Sequence, residues 1–225
     1  MAQGDAQWET GVCVYLDNSN IFIEAQRLAV TRNGNSVDPS VRRRIRVDFD
    51  NLVALCCANR KLVSALAAGS IPPELRNLWS RLEAATGAHV SLFDRRYKDC
   101  KEQQVPEMRL QRGMYKDAAM RAPGVAVLVT GDGAEYEPGE GFFSTLQNLK
   151  SKGWKIEVMS WRHCINRKML RWVEGNGIFV ALDDFYEEIT FLEEGKQRTS
   201  DYRVPARLAK PIDLRRRPAY EDFRL

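Results

Sequence analysis

Two stretches of this chain, Val12-Cys13-Val14-Tyr15-Leu16 and Val125-Ala126-Val127-Leu128-Val129, are apolar at every position. They are short and rich in valine, which favours strands over helices, and they lack the alternation of a strand with one wet face. A strand covered on both faces belongs in the middle of a parallel sheet. Parallel strands cannot be joined by tight turns, so helices must cross over between them.

The intervening segments supply those crossovers. Helical spacing runs from Ser19 to Ala29, and Asp48 caps a second helix that reaches Ala58. A strand follows from Lys61 to Ala68, then a helix that Pro72-Pro73-Glu74 opens and Gly87 ends. His89 to Phe93 reads as a strand, Pro106 to Arg121 as a helix, and Val125 to Thr130 as a strand. The helix from Phe142 to Lys152 stops at Gly153, and Trp154 to Ser160 is a strand. Cys164 to Val173 reads as helix and Ile178 to Leu182 as a last strand. This alternation predicts an α/β fold: a three-layer α/β/α domain around a central, mainly parallel, Rossmann-like sheet. The expected division is an extension over 1–10, a domain over 11–195 and a basic, proline-containing arm over 196–225.

Ligands of open parallel sheets bind beyond the carboxyl ends of the strands, where the strand order reverses. Asp17-Asn18-Ser19-Asn20 follows the first apolar run, and Thr130-Gly131-Asp132-Gly133 follows the second. If these strands are neighbours, two carboxylates face one crevice. Close carboxylates repel unless a proton or a cation lies between them. A hard divalent cation, Mg²⁺ or Mn²⁺, suits oxygen ligands; it can activate a water and screen charge on a phosphate. The GxxxxGK[ST] phosphate loop is absent from the chain, so the pattern points to phosphodiester hydrolysis rather than nucleoside triphosphate chemistry. Each aspartate also has a structural reading: Asp17 as a helix cap, and Asp132 as a turn residue between Gly131 and Gly133.

These motifs, with the Lys152-Gly-Trp-Lys-Ile-Glu-Val158 strand onset and Phe179-Val-Ala-Leu-Asp-Asp-Phe185, resemble the NYN domain in its LabA-like branch of the PIN-like nuclease superfamily. The resemblance spans about residues 11–190. It implies an endoribonuclease that hydrolyses RNA with Mg²⁺ or Mn²⁺, with Asp17 and Asp132 as metal ligands. It further implies that Asn20 positions substrate or water and that Thr130 supports the site through its hydroxyl. The family's V-D…D-M pattern is altered here. Aligning Leu110 and Met114 puts Glu107 at the first acidic position, as a third catalytic and metal-binding carboxylate, and Gly113 at the second. A further family aspartate is replaced by Ala134, with Glu135 one step later. The reduced acidic set leaves a second reading open: an RNA-binding or scaffold module of the same fold with weak or no catalysis. A protein–protein interaction module without nucleic acid is a third.

Arg95-Arg96-Tyr97-Lys98 follows a strand at the expected site edge, and basic residues around an aromatic suit contact with single-stranded RNA. Arg42 to Arg46 reads as a basic loop with a solvated face, and His163 as an exposed or capping residue, or a general base. Cys56 and Cys57 read as core, as do Trp79, Trp154 and Trp172. Gly133 to Gly141 is an acidic loop holding Glu135 and Glu137, either a gate or a source of ligands.

Charge is uneven. The whole chain of 225 residues carries 34 Lys and Arg against 30 Asp and Glu, a net +4. Residues 196–225 hold nine of the basic side chains and four of the acidic ones, so the body is near neutral. With Pro205, Pro211 and Pro218, the arm must be extended, either wrapped over the domain or contacting a polyanion. Apolar content of 44% and charged content of 28% exclude a disordered or fibrous chain. No apolar run is long enough for a membrane helix and the start shows no leader pattern, so no membrane partner and a cytoplasmic location are expected. Five cysteines without metal spacing fit a reduced compartment. A homo-oligomer is compatible with these features.

Overall fold

The computed structural model describes residues 11–32, 39–69, 71–87, 89–94, 104–131, 141–196 and 203–218. In chain order the elements are β1 (Val12–Asp17), α1 (Asn18–Arg32), α2 (Pro39–Arg42), β2 (Ile45–Val47), α3 (Phe49–Cys57) and β3 (Leu62–Gly69). Next come α4 (Pro73–Thr86), β4 (His89–Asp94), α5 (Gln104–Met120), β5 (Val125–Val129), α6 (Phe142–Ser151) and β6 (Lys155–Ser160). The chain continues with α7 (Arg167–Asn176), β7 (Ile178–Ala181), α8 (Tyr186–Ile189), β8 (Thr190–Leu192), β9 (Gly195–Lys196) and β10 (Arg203–Val204).

Six strands form one parallel sheet in the order β4-β3-β1-β5-β6-β7. The two fully apolar runs lie side by side at its centre, with Val12 opposite Val125 and Leu16 opposite Val129. Alternate residues feed separate cores. Val12, Val14 and Leu16 pack with α1, α3 and α4, whereas Cys13 and Tyr15 pack with α5, α6 and α7. The three-layer α/β/α architecture is therefore present as expected. Local chemistry ends the elements where the sequence predicts. The Asp48 carboxylate accepts from the Asn51 amide at 3.0 Å to cap α3, Pro73 opens α4, and Gly87 closes it at φ 66°.

Two expectations need correction. Arg42 to Arg46 is not wholly a solvated loop, because Ile45–Val47 pairs with β8 and Arg46 meets Glu193 at 2.8 Å. The helix expected from Cys164 begins only at Arg167, after Asn166 accepts from the Lys168 and Met169 amides. Residues 161–165 form a turn instead, pinned by Trp161, which is fully buried and donates to the Ile21 carbonyl at 3.2 Å.

The described part of the basic arm wraps over its own domain. Arg207 donates to the Thr190 carbonyl at 3.0 Å, Lys210 pairs with Glu187 at 2.7 Å, and Arg216 pairs with Glu188. Arg217 is buried. Its guanidinium reaches Glu157 of β6, a fully buried carboxylate that Arg60 also grips at 2.6 and 2.8 Å. These contacts neutralise charge the sequence offered to a polyanion, and they bolt residues 203–218 to the helices beside α3. Removing one partner from a buried ion cluster leaves an under-compensated charge. Arg217→Ala should therefore lower stability by roughly 3 kcal/mol, read by thermal or urea melting, while exposed Arg215→Ala leaves the midpoint unchanged. A silent Arg217→Ala would show that the arm is not an integral part of the fold.

Candidate functional site

The strand order turns back between β1 and β5, so the crevice of an open parallel sheet belongs beyond their carboxyl ends. α1 starts there without an intervening loop: Asp17 ends β1 and Asn18 begins the helix. Glycines on both flanks let the first turn settle between neighbouring strands. A Cβ on Gly69, at the end of β3, would lie 2.3 Å from Ser19 Oγ; one on Gly131, after β5, would lie 2.4 Å from Asn20 Cβ. Larger residues at either position would push α1 off the sheet.

Asp17 is 8% exposed, and the Asn20 side-chain amide donates to its Oδ2 at 2.8 Å. That amide orients the carboxylate. Thr130 is fully buried; its amide donates to the Met159 carbonyl at 3.1 Å, and its hydroxyl has no partner among the described residues. Asp132 lies outside the described residues, one position beyond Gly131. Arg95, Arg96, Tyr97 and Lys98 likewise lie outside them, as do Ala134, Glu135 and Glu137.

Glu107 lies on the first turn of α5 and is half-buried, with Gln111 Nε2 at 3.5 Å from its Oε1. α5 is the crossover between β4 and β5 of one parallel sheet and so runs antiparallel to the strands. Gly113 packs on Leu66, and Asp117 near the far end accepts from Tyr15 Oη at 2.9 Å and from Arg121 at 2.9 Å. Ten residues separate Glu107 from Asp117, roughly 15 Å of helix, which brings Glu107 to the same edge of the sheet as Asp17. A Cβ on Gly113 would fall 2.1 Å from Leu66 Cδ2, so a carboxylate there would displace β3 contacts.

Sequence reasoning missed three features. Arg109, Arg112 and Lys116 line one side of α5 and border a cleft of about 290 Å³ against His89 and Ser91 of edge strand β4. Their i, i+3, i+7 spacing was legible, but which face of α5 stays exposed was not. An apolar pocket of about 600 Å³ opens beside Asn18, lined by Phe22, Val47, Phe49, Ile71 and Phe191, with Arg46, Glu74 and Glu193 among its polar walls. The third is Glu24, which pairs at 2.9 Å with His163, itself an exposed residue as one of the sequence readings has it. Most described thiols are inert: burial pushes Cys13 up to about 12 and Cys57 up to about 11.

No family model matches the chain, and no curated protein matches its sequence. Among solved structures, the chain is similar to a protein of unknown function from Vibrio parahaemolyticus, with a TM-score of 0.50 and 18% identity over 78% of this chain and 94% of that one. That likeness shows the fold alone. Among the described residues no helix is long and apolar enough to cross a membrane.

Proposed function

We propose that the chain is a divalent-metal-dependent endoribonuclease acting on single-stranded RNA at the crevice beyond β1 and β5. The observation that carries this reading is Asp17: a largely buried carboxylate, oriented by Asn20, at the point where the strand order reverses. The resemblance of residues 11–190 to the NYN domain supports the same reading.

The residues present fit a hard cation. Asp17, the Asn20 side chain, the buried Thr130 hydroxyl and Glu107 are all oxygen donors at one edge of the sheet. Asp17, Glu107 and Asp132 would hold Mg²⁺ or Mn²⁺, which when bound supplies a Lewis acid that activates water and offsets phosphate charge. The chain's own residues do the rest. Asn20 keeps the Asp17 carboxylate aimed. The close packing of Gly69 and Gly131 against α1 fixes the helix turn that carries Asn20. Arg109, Arg112 and Lys116 hold backbone phosphates, and the aromatic pocket beside Asn18 takes an unpaired base by stacking. Arg95, Arg96, Tyr97 and Lys98 extend this contact surface in the same reading.

A second reading, an RNA-binding module without catalysis, is favoured by Gly113, which supplies no carboxylate where the resemblance expects a second acid and packs on Leu66 instead. Incubation of purified protein with labelled single-stranded RNA and Mn²⁺ separates the two. The nuclease reading predicts cleavage that Asp17→Asn reduces by roughly 100-fold or more. Equal cleavage by both proteins would mark a contaminant and overturn it, and tight binding without cleavage would establish the second reading. Arg112→Glu with Lys116→Glu should weaken RNA binding and flatten its salt dependence, by about 0.7 in log–log slope per lost phosphate contact. Unchanged binding would remove α5 from the interface.

A further inference from the structure

One turn after Asn20, α1 presents Glu24, 9% exposed, toward the turn that follows β6. Arg27 holds Glu24 Oε1, which leaves Oε2 facing His163 Nε2 at 2.9 Å. Cys164 Sγ completes the group: one carboxylate oxygen, one imidazole nitrogen and one thiol sulfur lie within 4.8 Å of one another. The turn carrying His163 and Cys164 is held in place before any ligand arrives. Trp161 is buried with its indole N–H on the Ile21 carbonyl, and the Arg162 amide donates to the Asp183 carboxylate at 2.8 Å.

We propose that Glu24, His163 and Cys164 form a site for a borderline divalent transition-metal ion, with Zn²⁺ the best match. Oxygen, nitrogen and sulfur together are the donors Zn²⁺ takes, whereas Mg²⁺ and Mn²⁺ avoid thiolate. Bonds of about 2.0–2.3 Å in a tetrahedron set the donors roughly 3.2–3.7 Å apart, so the Glu24–His163 pair, now at 2.9 Å, opens slightly while Cys164 Sγ, within 4.8 Å of both, closes by up to about 1 Å. Binding replaces the His163–Glu24 hydrogen bond and releases the Cys164 thiol proton to solvent, and no electron is transferred. Arg27 acts as the outer partner that fixes which carboxylate oxygen faces the ion. Three protein donors leave a fourth position for water, and His163, with 40% of its side chain exposed, lies on the entry path.

The consequence reaches the neighbouring crevice. The Gly131 carbonyl accepts from Ser160 Oγ at 3.0 Å and from the Cys164 thiol, so an ion that takes Cys164 as thiolate removes one of these two donors from the backbone just before Asp132. The proposal does not rest on the nuclease reading, since it shares no ligand with Asp17, Glu107 or Asp132.

Titration of the full chain with Co²⁺ under reducing conditions tests it. One equivalent should produce a near-ultraviolet thiolate-to-cobalt charge-transfer band that Zn²⁺ then erases. Cys164→Ser should abolish the band, and His163→Gln or Glu24→Gln should weaken Co²⁺ binding by at least roughly tenfold, with circular dichroism unchanged. Asp17→Asn and Cys100→Ser should keep the band. Its absence in the natural chain, or its survival in Cys164→Ser, would overturn the site.

Discussion

The contact on which the rest depends is the seating of the first turn of α1 between the ends of β3 and β5. β1 passes into α1 with no loop, so nothing absorbs an error in that placement. Gly69 and Gly131 remove the side chains that would otherwise prop the helix away. Once α1 is down, Asp17 is enclosed yet still borders the crevice, Asn20 reaches back to it at 2.8 Å, and Glu24 is carried to the turn after β6. A single helix thereby arranges an oxygen-donor edge on one side and a mixed O, N, S cluster one turn further on.

The opposite demand, holding an extended arm without a hydrophobic core of its own, is met by charge. Glu157 is buried in the sheet and would be costly alone. Arg60 from the turn after α3 and Arg217 from the arm satisfy it together, and Arg207, Lys210 and Arg216 find carboxylates or carbonyls along α8 and β8. The arm therefore contributes to the fold that presents the crevice, while Arg109, Arg112 and Lys116 set three cations on α5 beside the edge strand.

What was legible in the sequence was whatever local periodicity or a capping residue encodes. The runs at Val12 and Val125 declared central strands because no polar residue interrupts them, and Asp48, Pro73 and Gly87 marked helix ends by their own chemistry. Short elements tied only by distant pairing were not legible. β2 and β8 are three residues each and find one another across most of the chain. The turn at Trp161 broke an apparently helical pattern because its indole is needed by α1. Glu24 and His163 are 139 positions apart, so no spacing rule could join them. Of the candidate site, the positions of Asp17, Asn20, Thr130 and Glu107 follow from strand ends and helix direction, whereas the packing of Gly113 on Leu66 depends on a contact no local pattern encodes.

The central claim, that the reversal point between β1 and β5 is a seat for a hard divalent cation, is tested most directly by crystals of the chain soaked in Mn²⁺. The account predicts an anomalous-difference peak at about 2.1–2.2 Å from an Asp17 carboxylate oxygen, at the edge shared with Glu107. Saturating Mn²⁺ that leaves this crevice without a peak, with the Asp17 carboxylate bonded to protein donors only, would contradict it.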